Sequence, residues 1–346
     1  MGHARDMAIV NVGHAVPSRR VTNDDIVQWL REHNGNRPGR ELDAIEQRVR
    51  AFLNSCGSRY RYCRDSGETS VELVLAAAKQ AMDEANVSPR EIDFVTYVGV
   101  GRGWIEPAMA NLVQAKLGLT MATGFDILDA CASWLRALHI AQSFMRSGAY
   151  RQGLIVNCEC NSRELLQLEI GSDEELEQRL ASFTVGEAAT ATIVRAEERE
   201  EESYFRFDSF GEHLELCMVP LGNVREFLPR MQVNGSKFIT HSRELVKIAV
   251  EKAIAAYQQD PALNGYGYDV IFSHAIGKAA WVVGDKLGFA RERHYDPYEQ
   301  FGNTVSASVP LAMSLALREG RLKRGDRVLL IVPSAGFTIG FARLIF

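Results

Sequence analysis

The sequence lacks most of what would assign a protein to a class at once. No apolar run approaches the roughly 18 residues of a membrane-spanning helix. The opening MGHARDMAIVNVG has neither the apolar stretch nor the small-residue cleavage site of a secretory leader. Six cysteines in 346 residues do not make a disulfide framework. Cys158 and Cys160 form a Cys-x-Cys, but no second Cys/His pair stands at zinc spacing. The expectation is a reduced, cytoplasmic protein without a metal site. Positive charge is also scarce: 39 Lys and Arg against 44 Asp and Glu leave a net charge of −5. No global basic field therefore invites nucleic acid. The most basic stretch, REGRLKRGDR at residues 318–327, reads first as a solvated helix end and turn, and second as a docking patch for an acidic carrier protein.

What is present is ordinary globular composition, 46% hydrophobic and 24% charged, written out twice. TSVELVLAAAKQAMDEANVSPREIDFVTYVGVG, from Thr69, reads as an amphipathic helix, a turn with Pro89 and a β-rich run. SRELVKIAVEKAIAAYQQDPALNGYGYDVIFSHAIG, from Ser242, reads the same way around Pro261. A second pair begins at Cys131 (CASWLRALHIAQSFMRSGAYRQGLIVN) and at Asn303 (NTVSASVPLAMSLALREGRLKRGDRVLLIV). Shifted by 172 residues, Gly148 meets Gly320 and Gly153 meets Gly325. Each copy is an apolar-periodic helix, a Gly stop, a basic turn with Gly and a buried strand. The expected architecture is two packed α/β halves with mostly parallel sheets, divided as residues 1–185 and 186–346. The same shift sets Cys131 and Asn303 at equivalent helix starts. Between the halves, Ser172 and Glu175 fit a capping box that opens an acidic helix. That helix is either an exposed connector or part of a lid over a substrate tunnel. Residues 42–57 have helical apolar spacing and suit a core-facing or tunnel-lining helix.

Three polar residues stand near the ends of apolar strands. Cys131 follows FDILDA, His274 follows DVIFS, and Asn303 lies in YEQFGNTVSAS. Alone, each has a structural explanation: a packed thiol, a core histidine, a helix N-cap. Together, thiolate, imidazole and amide are the parts needed to attack a thioester and hold the charges that develop. His139, His213, His241 and His294 read as structural.

Five segments, in order and over nearly the whole length, resemble the thiolase superfamily, and within it the β-ketoacyl-ACP synthase III-like condensing enzymes. They are AIVNVGHAVPSRRVTNDDI, FDILDACASWLRAL, FSHAIGKAA, FGNTVSASVPLAM and PSAGFTIGFARLIF. The resemblance implies a five-layer α/β/α/β/α sandwich of two pseudo-symmetric halves, working as a homodimer. It implies that Cys131 accepts the acyl group, with a pKa depressed by the following helix and by His274. It implies an oxyanion hole from the backbone N–H groups of Cys131 and Ala335, and a second thioester polarised by His274 and Asn303. Gly336 and Gly340 fit the close backbone approach of the closing turn, with Gly336 against substrate.

The departures are as informative. Decarboxylating members usually have Gln, then Ala and Asn, after the histidine; here Ala275 and Gly277 hold the first and third of those positions. Glu187 and Ala188 stand where the family tends to have Asp-Gly. The early Trp and Arg that often clamp CoA have no clear match, Trp29 lying too early. In GRGWIEPAMANLVQAKLGL, the apolar residue that fatty-acid-initiating members place before a proline is Glu106, followed by Pro107. An acid there resembles the subgroup that joins two acyl thioesters: head-to-head olefin, α-pyrone and dialkylresorcinol synthases. In these, a glutamate from the partner subunit removes an α-proton. A thioester α-proton is weakly acidic, so its base must be positioned and partly desolvated.

The expected function is a Claisen condensation of two acyl thioesters, carried on CoA or an acyl carrier protein, through acyl-Cys131. Glu106 would be the base, with Trp104, Pro107 and Gly336 as substrate contacts and no metal or redox cofactor. The setting would be fatty-acid or polyketide-type biosynthesis. The alternatives are decarboxylative condensation with a malonyl thioester, acyl transfer to an alcohol or amine, and a non-catalytic partner in a heteromeric synthase.

Overall fold

In the computed structural model, residues 4–231 and 237–346 are described. The first three residues lie outside them. Nine strands build two sheets: β1 Ala4–Ala15, β2 Phe94–Val98, β3 Thr123–Ile127, β4 Gln152–Glu159, β5 Ala188–Arg199, β6 Tyr204–Ser209, β7 Val270–Ser273, β8 Arg327–Ser334 and β9 Thr338–Ile345. The first sheet runs β1-β5-β4-β2-β3 and the second β7-β8-β9-β6. Every residue of QGLIVNCE in β4 is buried, which is why that strand reads as a continuous run rather than an alternation.

The sheets are mixed, not mostly parallel. Strands β2, β3 and β4 pair in parallel, as do β7 and β8; β5 runs antiparallel to β1 and β4, and β9 antiparallel to β8 and β6. Only three residues separate β8 from β9, too few for a parallel crossover. The division expected at 185/186 is also corrected. Strand β5 belongs to the first sheet, zipped between β1 and β4, so the halves part between Arg199 and Tyr204.

Seven helices matter for the site: α1 Gly39–Cys56, α2 Ser70–Ala85, α3 Ser133–Ser147, α4 Asp173–Arg179, α5 Ser242–Gln259, α6 Lys278–Lys286 and α7 Ser308–Arg318. Thr69 opens α2 with a reciprocal capping box to Glu72, and Gly148 closes α3 in the left-handed region at φ 76°. Helices α3 and α7 lie between the sheets. Trp134, Leu138 and Met145 of α3 share one core with Val309 and Met313 of α7, with Phe94 and Ile155 of the first sheet, and with Phe272 and Leu330 of the second. Helix α2 packs on the outer face of the first sheet and α5 on the outer face of the second. The result is the α/β/α/β/α sandwich.

The internal repeat is real, but its offset at the site is 175, not 172. Strands β4 and β8 match at 175, as do the starts of α3 and α7. So do two left-handed non-glycine residues, Ala130 at φ 44° and Val305 at φ 50°. Helix α7 has 11 residues where α3 has 15, so the glycines after the helices align at a different offset from the turns before them. The counterpart of Cys131 is therefore Ser306. Asn303 lies three residues ahead of that turn, matching Leu128.

Candidate active site

The turn that carries Cys131 is held from the other half of the molecule. The Ser334 hydroxyl, at the end of β8, accepts from Ala132 N (3.1 Å) and donates to the Asp129 carbonyl (3.0 Å). Ala130 adopts φ 44°, a conformation that costs an L-residue roughly 1–2 kcal/mol and that this packing maintains. Cys131 thus stands at the start of the central helix, facing a cavity of about 990 Å³. His274 and Asn303 line the same cavity, together with Ala335 and Gly336. Its walls are mostly apolar, among them Phe52, Leu165, Leu180, Leu245 and Phe337.

His274 follows β7 and is buried; its N–H donates to Ile331 O (2.9 Å), and its Nδ1 lies 2.7 Å from the Ser308 hydroxyl. Asn303 is fixed by its own backbone, with N donating to Thr184 O (2.8 Å) and Gly186 N donating to Asn303 O (3.0 Å). Its side-chain oxygen accepts from Val305 N (2.9 Å), which leaves the NH₂ end as the donor of the amide.

The electrostatics correct the expected activated thiol. Burial pushes the Cys131 pKa well above its ordinary value, aided by Cys217 and Glu159. The backbone N–H groups of Ala335 and of Cys131 itself, both directed at Sγ, pull the other way and do not win. Burial also lowers His274 to about 4. The resting pair is a neutral thiol and a neutral imidazole, because the charged forms lose more hydration than the helix start returns. Since only the thiolate alkylates, iodoacetamide labelling of Cys131 is expected to rise about tenfold per pH unit from about pH 7 to 9, without a plateau. Peptide mapping at each pH checks this; a plateau by about pH 7.5 would show an activated thiolate instead.

Gly336 serves differently from expectation. A Cβ there would meet nothing within 4 Å, but its φ of 122° is open only to glycine. At Gly340 a close neighbour does stand in the way, the Leu135 side chain at 2.7 Å.

Residues 42–57 and the connecting segment both wall the cavity. Helix α1 turns Ile45, Val49 and Leu53 into the core and presents Arg48, Ala51, Phe52 and Ser55 to the cavity. Glu177, Ala181, Thr184 and Val185 close another side, and Arg48 ties α1 to α4 through Asp173 (2.6 Å) and Glu177 (3.2 Å). Ser172 caps α4 through Glu175 N, but the return half of the expected box is missing: the Glu175 carboxylate accepts from Gly171 N (2.8 Å) and pairs with Arg179. In the basic stretch all four arginines are engaged: Arg318 with Glu84, Arg321 with Glu292 O, Arg324 with Ile9 O and Val10 O, and Arg327 with Asp269.

Glu187 is fully buried, accepting from Arg64 N (2.6 Å) and Ser162 Oγ (2.7 Å) and pairing with the Arg64 guanidinium (3.2 Å). Glu187→Ala would strand these donors and is expected to cost about 3 kcal/mol, measured by urea unfolding.

Glu106, Trp104 and Pro107 do not line this chain's cavity. They lie on an exposed loop stapled by Trp104 Nε1 donating to Pro107 O (2.7 Å) and ended by Asp126, which accepts from Met109 N (2.8 Å) and Ala110 N (3.0 Å). The loop flanks edge strand β3 and carries Ile105, 69% exposed; Met121 and Leu128, at 69% and 64%, flank the strand itself.

Sequence reasoning missed Ser308, Ser334, Glu159 and Ser306. The first two carry no signal in a single sequence. Glu159 did carry one, as the only charge in the apolar run LIVNCEC.

Two family models match: 3-oxoacyl-[acyl-carrier-protein] synthase III over residues 125–210, and its C-terminal model over residues 269–344. They bracket the Cys131 turn on one side and both His274 and Asn303 on the other. These matches indicate an acyl-transferring condensing enzyme similar to β-ketoacyl synthase III. Among curated relatives of that enzyme, the synthase III of Rhizorhabdus wittichii is 27% identical over 344 residues, covering 98% of this chain and 99% of the relative. That of Rhodospirillum centenum is 28% identical over 340 residues, covering 96% and 97%. Similar solved structures include OleA of Xanthomonas campestris, with a TM-score of 0.82, 20% identity and 100% coverage of both chains. FabH of Pseudomonas aeruginosa PAO1 gives a TM-score of 0.80 at 23% identity, over 99% of this chain and 98% of that one.

Proposed function

We propose that this ketosynthase condenses two acyl thioesters, on CoA or an acyl carrier protein, without decarboxylation. The observation that carries the reading is the division of the site: Cys131, His274 and Asn303 converge on one apolar cavity, while Glu106 is presented outward beside an open sheet edge. An edge strand flanked by exposed Ile105, Met121 and Leu128 suits a second copy pairing about a twofold axis. Leu128 also lines the cavity, so that edge and the cavity adjoin. The partner's Glu106 would then serve this subunit's site.

In the first half-reaction Cys131 Sγ attacks the thioester carbonyl. The oxyanion takes the N–H groups of Cys131 and Ala335, and the thiol proton leaves with the departing CoA or carrier thiolate. In the second, Glu106 takes an α-proton from the next acyl thioester. The Asn303 amide NH₂ and His274, with Ser308 on its Nδ1, donate to the enolate oxygen. The enolate carbon attacks acyl-Cys131, the Cys131–acyl bond breaks, and the returning thiolate regains a proton. Two acyl thioesters give one β-keto thioester and one free thiol. No step draws on a metal or redox group, and the apolar walls suit alkyl chains.

A single saturated acyl-CoA such as decanoyl-CoA, with no malonyl thioester, tests this. The expected product is the 3-oxo thioester of two acyl units, seen by mass spectrometry. Product only with malonyl-CoA, with CO₂ released, would establish decarboxylative condensation; an ester or amide with no new C–C bond would establish plain acyl transfer.

A further inference from the structure

Glu159 is a fully buried carboxylate that the reaction above does not use. It ends β4 and stands at the position that Ser334 holds in the second half, where Ser334 docks the Cys131 turn. Its three contacts reach two different elements. One oxygen accepts from Val100 N (3.0 Å) and from the Ser306 hydroxyl; the other accepts from Gly101 N (2.7 Å). Val100 and Gly101 begin the loop that runs out to Glu106. Ser306 lies in the turn just after Asn303. The backbone is shaped around the carboxylate: a Cβ on Gly99, at φ 109°, would collide with both the Glu159 carboxylate and Ser306 Oγ. Nearby Asn157 adds a second tie, its Nδ2 donating to Ser306 Oγ (3.0 Å).

We propose that Glu159 is a positioning residue whose carboxylate clamps the root of the Glu106 loop and the Asn303 turn together behind Cys131. The assignment rests on the roles given above to Cys131, Asn303 and Glu106. Burial raises the Glu159 pKa against the pull of its Ser306, Val100 and Gly101 donors; in its ionised form the carboxylate opposes ionisation of the thiol. The clamp therefore couples geometry to charge. It holds the enolate-binding amide and the base loop in register, and its ionised form adds to the burial that disfavours the Cys131 thiolate.

Glu159→Gln keeps the size of the side chain but turns an NH₂ group on one of the accepting positions. It is expected to leave acyl-Cys131 formation from decanoyl-CoA within about threefold and to slow clearance of the adduct into condensed product at least about tenfold. It is also expected to shift the pH profile of Cys131 alkylation to lower pH, with labelling about threefold faster at pH 8, because a negative charge near the thiolate is gone. A purely structural carboxylate would not move that profile. Ser306→Ala cuts only the arm to the Asn303 turn and keeps the charge; it should slow clearance and leave the profile in place. Wild-type clearance with a superimposed alkylation profile in Glu159→Gln would overturn the proposal. So would wild-type clearance in Ser306→Ala, which decides the matter should the glutamine variant fail to fold. An unacylated wild type would instead sink the proposed function, and the alkylation profile, which needs no substrate, would still report on Glu159.

Discussion

Cys131→Ala is expected to abolish the acyl adduct and to lower condensation by at least about 10⁴-fold. Three thiols, Cys56, Cys131 and Cys217, line the cavity, so the assignment discriminates among chemically identical groups. Burial pushes Cys217 up to about 12, with no opposing donor. Cys131 has backbone N–H groups of two residues directed at its sulfur, from a turn locked by Ser334. Those donors barely matter to the resting thiol; they gain strength when negative charge appears on the attacking sulfur and then on the tetrahedral oxygen. Intact-protein mass after exposure to decanoyl-CoA reads the result directly. An adduct that survives in Cys131→Ala would move the nucleophile to Cys56 or Cys217.

Glu106→Gln is expected to stop at the acyl-enzyme. Acylation of Cys131 needs no base from the loop, so the adduct should form at close to the wild-type level. Its clearance by a second acyl-CoA should fall by about 10²–10⁴-fold, the usual worth of a positioned general base. The placement of Glu106 outside its own cavity gives a sharper test. Neither Cys131→Ala nor Glu106→Gln is active alone, but mixed and reassorted subunits should regain about a quarter of wild-type activity, since half the dimers would be mixed and each would hold one complete site. A base acting within its own subunit would give no recovery.

Much of this was legible in the chain. Cys131 and His274 could be read because the end of a core strand is a local pattern of apolar runs, whereas Asn303 follows the short helix Tyr298–Phe301 rather than a strand and was legible only from its FGNT segment. The lining role of residues 42–57 was also legible, since helical spacing shows which residues share a face. The offset between the halves was misread because glycines mark where helices end, not where they begin, and α7 is four residues shorter than α3. The division of the halves was misread because nothing in AATATIVRAEER says which sheet it will join.

The sequence by itself determined the resemblance, the layered architecture and that Cys131 and His274 stand near the ends of core strands. Each follows from the order of residues along a short stretch. The tertiary structure alone decided that Ser334 holds the nucleophile's turn from 205 residues away, that Ser308 stands behind His274, and that Glu159 reaches both Gly101 and Ser306. It also reversed the direction of the Cys131 pKa. Desolvation is a sum over every atom packed around the thiol, from both halves of the chain, whereas a helix start is a single local feature. At Cys131 the sum is larger.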